Sequence, residues 1–368
     1  MTLTPVAVNL LWCVPGGVGG SEQYLVRQLL GLAEQPERAW WPVLFVPKDF
    51  VEAHPELAQQ FQCVIAPFDG TARSRRVFGE ATWLRRHSRG YALAHHGGGT
   101  APRSRRTPYV LTVHDLQYRT FPDTFTPSKL RYLETVIPRS VRGAAVIAVP
   151  SEYVRGTVIN AFNVSPERVQ VIPHGIEPAL VHHVTAADEL RAKFQLGDGR
   201  VVVYPAVTNP HKNHQLLLDL MRDHWRDPDL RLVLIGGQGA CEPVIAACAD
   251  QRVCRLGRVS DADRNGLLAM AHAMVFPSLY EGFGAPLIEA MALGAPVVAS
   301  DATCIPDVVG EAGLVLPPTA AAWADSLDRV ASQREALVAA GWARAQQFTS
   351  RASGAALSEA YATALGCA

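Results

Sequence analysis

Short apolar runs recur along the whole chain. Most close on glycine, proline or histidine and give way to a stretch with helical spacing. In the first half the runs are 6–14, 41–46, 64–67, 91–94, 109–113, 144–150 and 169–173. In the second half they are 201–204, 232–235, 253–256, 274–276, 296–299 and 313–316. Runs this short, bounded by turn residues, predict buried strands. Between them, Tyr24, Leu25, Leu29, Leu30 and Leu32 form one side of a helix with Ser21 as its N-cap. Further helices are predicted near 54–61, after Ser151, over 214–221, after the glycines at 236–239, after Ser260, and over 323–330, 334–348 and 352–365. Residues 301–310 read as a loop or short helix. Strands alternating with helices imply parallel sheets covered on both faces. The stretch 175–198, flanked by Pro178, Gly197 and Gly199, reads as a linker with a short helix between two such series.

Composition narrows the class. The chain of 368 residues has material for two cores, so two domains are expected. A hydrophobic share of 48% with 18% charged residues is that of a soluble globular protein. The formal net charge is zero, which removes any global field for nucleic acid. No apolar run is long enough to span a bilayer, and the first run lacks a basic leader, so it reads as a core strand rather than a signal peptide. The seven cysteines (13, 63, 241, 248, 254, 304 and 367) are odd in number and scattered, with no C-x-x-C pair. Neither a disulfide framework nor a zinc site is expected, and a reducing cytoplasm fits. Positive charge is almost all arginine. The lysines are Lys48, Lys129, Lys193 and Lys212.

The most informative stretch is 272–300, HAMVFPSLYEGFGAPLIEAMALGAPVVAS. An apolar run leads into the loop LYEGFGA. Pro286 then stands near the start of a short helix and Gly294 just past its end, the asymmetry expected of a real helix. The helix start offers free N–H groups and a positive dipole end, which suits a phosphate. Gly282 and Gly284 let backbone approach a ligand closely. Glu281 on the loop and Glu289 about one turn into the helix cannot face a phosphate, because like charges repel. They read instead as acceptors for hydroxyls on either side of it. Hydroxyls, phosphate and hydroxyls in that order describe a nucleotide sugar.

Other candidates lie at predicted strand ends, the edge where ligands sit in open α/β sheets. The first strand runs into PGGVGG, residues 15–20. From Gly17 the spacing lacks the third glycine of a dinucleotide fingerprint, which argues against a nicotinamide oxidoreductase. His95, His96 and His114-Asp115 are expected just past two later strands. Lys212, in NPHKN, follows another and supplies positive charge for a diphosphate. Asp227-Pro228-Asp229 and Asp261-Ala262-Asp263 have the spacing of a metal-bound nucleotide sugar. The first reads better as a turn and the second as a helix cap under Ser260, so no metal is expected. Arg73, Arg75, Arg76, Arg85, Arg86, Arg89, Arg103, Arg105 and Arg106 crowd one region, with Phe78, Trp83 and Leu84 interleaved. They form either a solvated helix face and loop or a patch for an anionic membrane surface or a phosphate-bearing acceptor.

EGFGAPLIEAMALGAPVVAS resembles the donor-site signature of retaining glycosyltransferases of family 4, two acids separated by seven residues. GGSEQYL and VLTVHDL are similar to that family's first-loop and N-domain motifs. The resemblance covers most of the chain and is strongest from about 200 to 316. It implies the α/β GT-B fold: two Rossmann-like doubly wound domains facing across a cleft. Residues 1–176 would form the acceptor-side domain and 177–349 the donor domain, with a helix at 350–368 packing back on the first. It implies a hexosyltransferase in which Glu289 accepts from ribose, while Glu281 and the backbone of Gly282, Phe283 and Gly284 hold the hexose. The base would lie against Gly257, Arg258 and Val259. Gly19 and Gly20 match the paired glycines of the first loop. His114 would lie by the transferred sugar, and His95 and Asp115 nearer the acceptor. The family pairs its lysine with an arginine shortly upstream. Here Val207 holds that place, and Arg258 is the expected substitute. The NPHKN and HDL segments look most like bacterial mannosyltransferases of polysaccharide assembly. The expected donor is GDP-mannose first and a UDP-hexose second, with a glycan, lipid-linked or small-molecule acceptor, no cofactor, and a cytoplasmic site peripheral to the membrane through residues 73–106. The rival reading is a non-catalytic nucleotide-sugar-binding subunit.

Overall fold

A computed structural model describes residues 3–36, 39–103 and 107–366. The chain divides into two compact units: Met1–Gly175 with Thr349–Ala368, and Ile176–Phe348. Arg105, Arg106, Cys367 and the last two residues of the expected 350–368 helix lie outside the described residues.

The first unit is built on a seven-stranded sheet in the order β3-β2-β1-β4-β5-β6-β7. The strands are β1 (Thr4–Asn9), β2 (Trp40–Val46), β3 (Gln62–Ile65), β4 (Leu93–His96), β5 (Tyr109–Thr112), β6 (Val146–Val149) and β7 (Val169–Val171). Every pairing is parallel. One sheet face carries α1 (Gly20–Ala33) and the C-terminal helix, whose Tyr361 joins Val6, Val8, Leu44, Leu93 and Val110 of the sheet in one core. The other face carries two smaller cores, one around Phe45 and Leu84 and one around Leu111 and Ile147.

The second unit holds a six-stranded parallel sheet in the order β10-β9-β8-β11-β12-β13. Its strands are β8 (Val201–Pro205), β9 (Arg231–Ile235), β10 (Val253–Gly257), β11 (Ala273–Phe276), β12 (Val297–Ser300) and β13 (Gly313–Leu316). In each unit the order runs outward in one direction, then reverses. The reversal falls between β1 and β4 in the first unit and between β8 and β11 in the second. Chains leaving two adjacent strands at such a point diverge to opposite faces and leave a crevice.

Four expectations need correction. The first apolar run is a strand only to Asn9, and residues 10–14 leave the sheet as turns and irregular backbone. Ser21 does not cap α1, because the N-cap is Gly19, at φ 62°, and Ser21 lies inside the helix. Residues 323–330 and 334–348 belong mainly to a single helix, Ser326–Ala345, preceded by the turn Ala320–Trp323. A 17-residue helix over Pro127–Gly143 was not anticipated. It buries only Ile137, Ser140 and Val141 outright and contains Pro138, a helix breaker in the middle of its apolar stripe. Its start is well signalled: Pro127 opens it and the Thr126 hydroxyl accepts from the Lys129 N–H.

The C-terminal helix, Ser350–Ala364, lies against α1 at backbone distance. A Cβ on Gly31 would fall within the Ser350 carbonyl, and one on Gly354 within the backbone of Gly31 and Leu32. The approach therefore requires both glycines. Gly354→Ala is expected to destabilise the first unit by about 1–3 kcal/mol, the cost of overpacking a close contact. Unfolding of the variant in urea would measure this, and an unchanged midpoint would contradict the packing.

Candidate functional site

In the second unit the strand-order reversal sets two loops side by side. The loop after β8 turns through Pro210–Lys212 and enters a helix, His214–Asp223, by way of Asn213 at φ 53°. The loop after β11 passes through Ser278 to Glu281 and enters the helix Ala285–Ala292 through Gly284 at φ 87°. The Leu279 N–H donates to the His211 carbonyl at 2.7 Å and joins the two loops. The buried Tyr204 hydroxyl lies 2.8 Å from the Lys212 carbonyl, to which it donates, and 3.0 Å from the Ser278 hydroxyl. So framed, the Lys212 ammonium meets the Glu281 carboxylate at 2.6 Å. Both side chains are more than four-fifths shielded, at 19% and 12% exposure.

Glu281 is also held from behind. Its N–H donates to the Thr303 hydroxyl at 3.1 Å, and the Cys304 thiol contacts its carbonyl at 3.3 Å. Thr303 adopts φ 56°, a left-handed conformation that is strained for a β-branched residue. The strain accompanies a hydroxyl aimed at the backbone of the candidate acid. Sequence reading passed over Thr303, since DATCIPDVVG offers no glycine to announce a left-handed turn. Glu289 is buried on the following helix, and Phe283 is buried with its ring edge-on to Phe348.

The loops after β9 and β10 supply the other side. Arg255 forms an ion pair with Glu242 at 3.0 Å, and Glu242 accepts from the Thr208 hydroxyl at 2.7 Å. That hydroxyl in turn accepts from the Gly239 N–H at 2.7 Å. The Arg255 hydrogen bond holds the Glu242 carboxyl below the usual carboxylate range. This brace was not anticipated from sequence. Arg258 lies over Gly237: a Cβ placed there would stand 3.4 Å from its Nε and 3.8 Å from Val207 Cγ2. Arg258 and the exposed Val207 thus meet over one glycine, and Val259 packs against the core.

In each D-x-D segment one acid is engaged within the fold. Asp227 caps its own turn through the Asp229 N–H and pairs with Arg200 at 3.0 Å. Asp263 pairs with Lys193 at 2.7 Å, accepts from Thr185, and sits beneath its Ser260 cap.

In the first unit, His114 follows β5 as expected. Its Nε2–H donates to the Gly97 carbonyl at 2.8 Å, which leaves Nδ1 as an acceptor. Burial lowers its pKa to about 4, so the ring is neutral, and it packs against Trp12 and Tyr24. Asp115 accepts at 2.8 Å from the N–H of Gln117, the first residue of the short helix Gln117–Thr120. His95 and His96 are not past the strand but within β4, so they point to opposite sheet faces. His95 faces the C-terminal helix with both nitrogens engaged, by Tyr361 at 2.9 Å and Thr112 at 2.8 Å. This corrects its assignment to the acceptor side: a ring 1% exposed under that helix has no edge left for a ligand. Gly19 carries the positive φ at the head of α1, and a Cβ at Gly19 or Gly20 would meet only open space.

The two halves of the chain match two described families. Residues 18–180 match Glycosyltransferase Family 4, and residues 186–346 match Glycosyl transferases group 1. The chain belongs to the family 4 glycosyltransferases. The O-antigen chain mannosyltransferase B of Escherichia coli is 32% identical over 65% of this chain and 66% of its own length. The MMP alpha-(1->4)-mannosyltransferase of Mycolicibacterium hassiacum is 34% identical over 42% of this chain and 37% of its own. The chain therefore spans just under two thirds of the first of these relatives and little over a third of the second. Among solved structures, a sucrose-phosphate synthase from Thermosynechococcus elongatus aligns over 99% of this chain and 100% of its own, with a TM-score of 0.75 at 20% identity. Anabaena HepE in complex with UDP-glucose aligns over 97% and 99%, with 0.74 at 20%. Likeness at that identity speaks for the GT-B fold alone.

The glycine loop of this family 4 chain has a support of its own. The Glu22 carboxylate accepts from the Gly16 N–H at 3.0 Å and contacts His54 Nε2 at 2.7 Å. His54 Nδ1 meets Glu56 at 3.0 Å. Burial works against a charged ring, yet the two glutamates outweigh it and His54 titrates above its ordinary value. A raised histidine pKa stabilises the fold fully below the unfolded value, about 6.5, and the contribution is lost as pH rises through the raised value. His54→Gln is therefore expected to flatten the fall in melting temperature above about pH 6.5. Melts across that range would test it, and an identical pH dependence in the variant would exclude the linkage.

Proposed function

We propose that this protein is a retaining hexosyltransferase that moves a sugar from a nucleoside diphosphate donor, GDP-mannose before a UDP-hexose. The observation that carries the reading is the Lys212–Glu281 pair beside the helix start at Gly284. An ammonium, a row of helix N–H groups and two flanking acids suit a diphosphate between two hydroxyl-rich sugars. Donor arrival would separate the pair, with Lys212 turning to the phosphates and Glu281 to the hexose hydroxyls. Glu289 takes the ribose hydroxyls. Arg258, over Gly237 and beside Val207, adds the second cation that position 207 lacks. The base lies against Gly257 and Val259. The preference for mannose rests on relatives named as mannosyltransferases, matched in part of their length.

In the reaction the bond from the anomeric carbon to the phosphate oxygen breaks, and its electrons stay on the leaving diphosphate. Lys212 and the helix N–H groups meet that charge in a shielded site, the role a metal ion plays elsewhere. The acceptor hydroxyl attacks from the same face and passes its proton to the departing phosphate oxygen, so the anomeric configuration is kept. His114, neutral with Nδ1 accepting, is suited to a hydroxyl of the transferred sugar. A glycan, lipid-linked or small-molecule acceptor fits this scheme, with a peripheral hold on an anionic membrane surface near the exposed Phe78 and its neighbouring arginines. Among the described residues no helix is long and apolar enough to cross a membrane.

Lys212→Ala is expected to weaken nucleoside diphosphate binding by about 1.5–3 kcal/mol, the range for a charged hydrogen bond. Calorimetry with GDP and UDP would read it, and an affinity equal to that of the parent chain would refute the assignment. Turnover should persist in excess chelator, and the product should keep the donor's anomeric configuration by NMR. An inverted product would end the front-face mechanism. Donor binding with neither transfer nor slow hydrolysis would leave a binding subunit.

A further inference from the structure

The connection from β4 to β5 lacks what parallel strands usually carry. Such crossovers are normally helical, but the described residues between 97 and 108 form no helix. The sheet face beneath is left uncovered between the Phe45–Leu84 core and the Leu111–Ile147 core. A cavity of about 710 Å³ occupies the gap. Its apolar lining comes from Leu84, Ala94, Pro102 and Tyr109, and its cationic lining from Arg85, Arg89 and Arg103. No carboxylate lines it. These three guanidinium groups form no ion pair among the described residues, whereas nearby Arg75 and Arg76 pair with Asp69 and Glu80.

His96 adds a fixed donor. It is 5% exposed, lines the cavity, and faces away from the side taken by His95. The Asn9 side-chain amide contacts Nδ1 at 3.3 Å, so Nδ1 accepts and Nε2 bears the hydrogen. Nε2 has no hydrogen-bond partner among the described residues. The His96 N–H and three guanidinium groups with no ion pair among the described residues, set around an apolar lining, complement a doubly charged oxyanion on an organic body.

We propose that this cavity binds a phosphate monoester or diphosphate ester, with the phosphate at Arg85, Arg89, Arg103 and His96 and the organic part over Tyr109 and Leu84. The site lies wholly within the first unit and does not rest on the transfer reaction. Gly97, which follows His96, carries the carbonyl that orients His114, so an occupied cavity would adjoin the support of that ring.

The probe is hexyl phosphate, titrated by calorimetry into the full chain and into its Lys212→Ala variant, which removes the candidate phosphate ligand of the second unit. Equal binding to both is expected. The triple variant Arg85→Gln, Arg89→Gln, Arg103→Gln should bind about a hundredfold more weakly, from loss of several charged hydrogen bonds. Thr107→Trp, which fills the cavity and leaves every charge in place, should abolish binding and so separate the cavity from a merely basic surface. Absent binding at millimolar probe, or binding untouched by both variants, would overturn the proposal. Co-sedimentation with phosphatidylglycerol vesicles distinguishes the source. Pelleting that Thr107→Trp abolishes identifies a lipid headgroup. Hexyl phosphate binding without pelleting identifies a soluble phosphate ester. Loss of binding in Lys212→Ala alone would place the probe in the second unit and exclude the cavity.

Discussion

The arrangement of the second unit turns on one contact, the Lys212 ammonium against the Glu281 carboxylate at 2.6 Å. It arises from topology before chemistry. β8 and β11 are neighbours in the sheet but far apart in sequence, and their loops leave from the same edge. A cation on one and an anion on the other satisfy each other in a place where an unpaired charge would be costly. Pairs this shielded sit near energetic break-even, because desolvation offsets attraction. Little is then lost when a ligand carrying both phosphate and hydroxyl groups exchanges partners with both ends. The pair can hold the empty site in shape without locking it.

The supports around the pair follow the same logic. Thr303, Ser278 and Tyr204 are polar groups spent on backbone or on one another, so the loops present their side chains on a braced frame. The Arg255–Glu242–Thr208 chain does the same for the loops after β9 and β10. In the first unit, Glu22 ties the glycine loop to His54, and the Gly97 carbonyl sets the tautomer of His114. In each case a backbone group with no ladder partner takes a side chain instead, as buried backbone must.

Much of this was legible in sequence, for identifiable reasons. Buried parallel strands read as continuous apolar runs, so most strand positions are found within a residue or two, and 313–316 is met at both ends. Glu281, Lys212 and the Gly284–Pro286 helix start were visible because loop chemistry at strand ends leaves glycine and proline marks. What stayed hidden lacks such marks. The long helix at Pro127–Gly143 buries few residues, and Thr303 holds a left-handed turn without glycine. The pairing of Lys212 with Glu281 itself was invisible, because it spans 69 positions and depends on which strands are neighbours.

The histidine pair on β4 shows how narrow the margin can be. Sequence placed His95 and His96 beyond the strand, where both would be free to face a ligand. The strand in fact runs through His96, and its two-residue period then decides everything. His95 goes to the helix-covered face and becomes a core hydrogen-bonding group between Tyr361 and Thr112. His96 goes to the face that the helix-free crossover leaves open. Two residues of strand length make His95 a structural group and place His96 on the lining of a cationic cavity. Local sequence does not carry that choice. It follows from register against β1, where Asn9 stands opposite His96 and fixes the tautomer that makes it a donor.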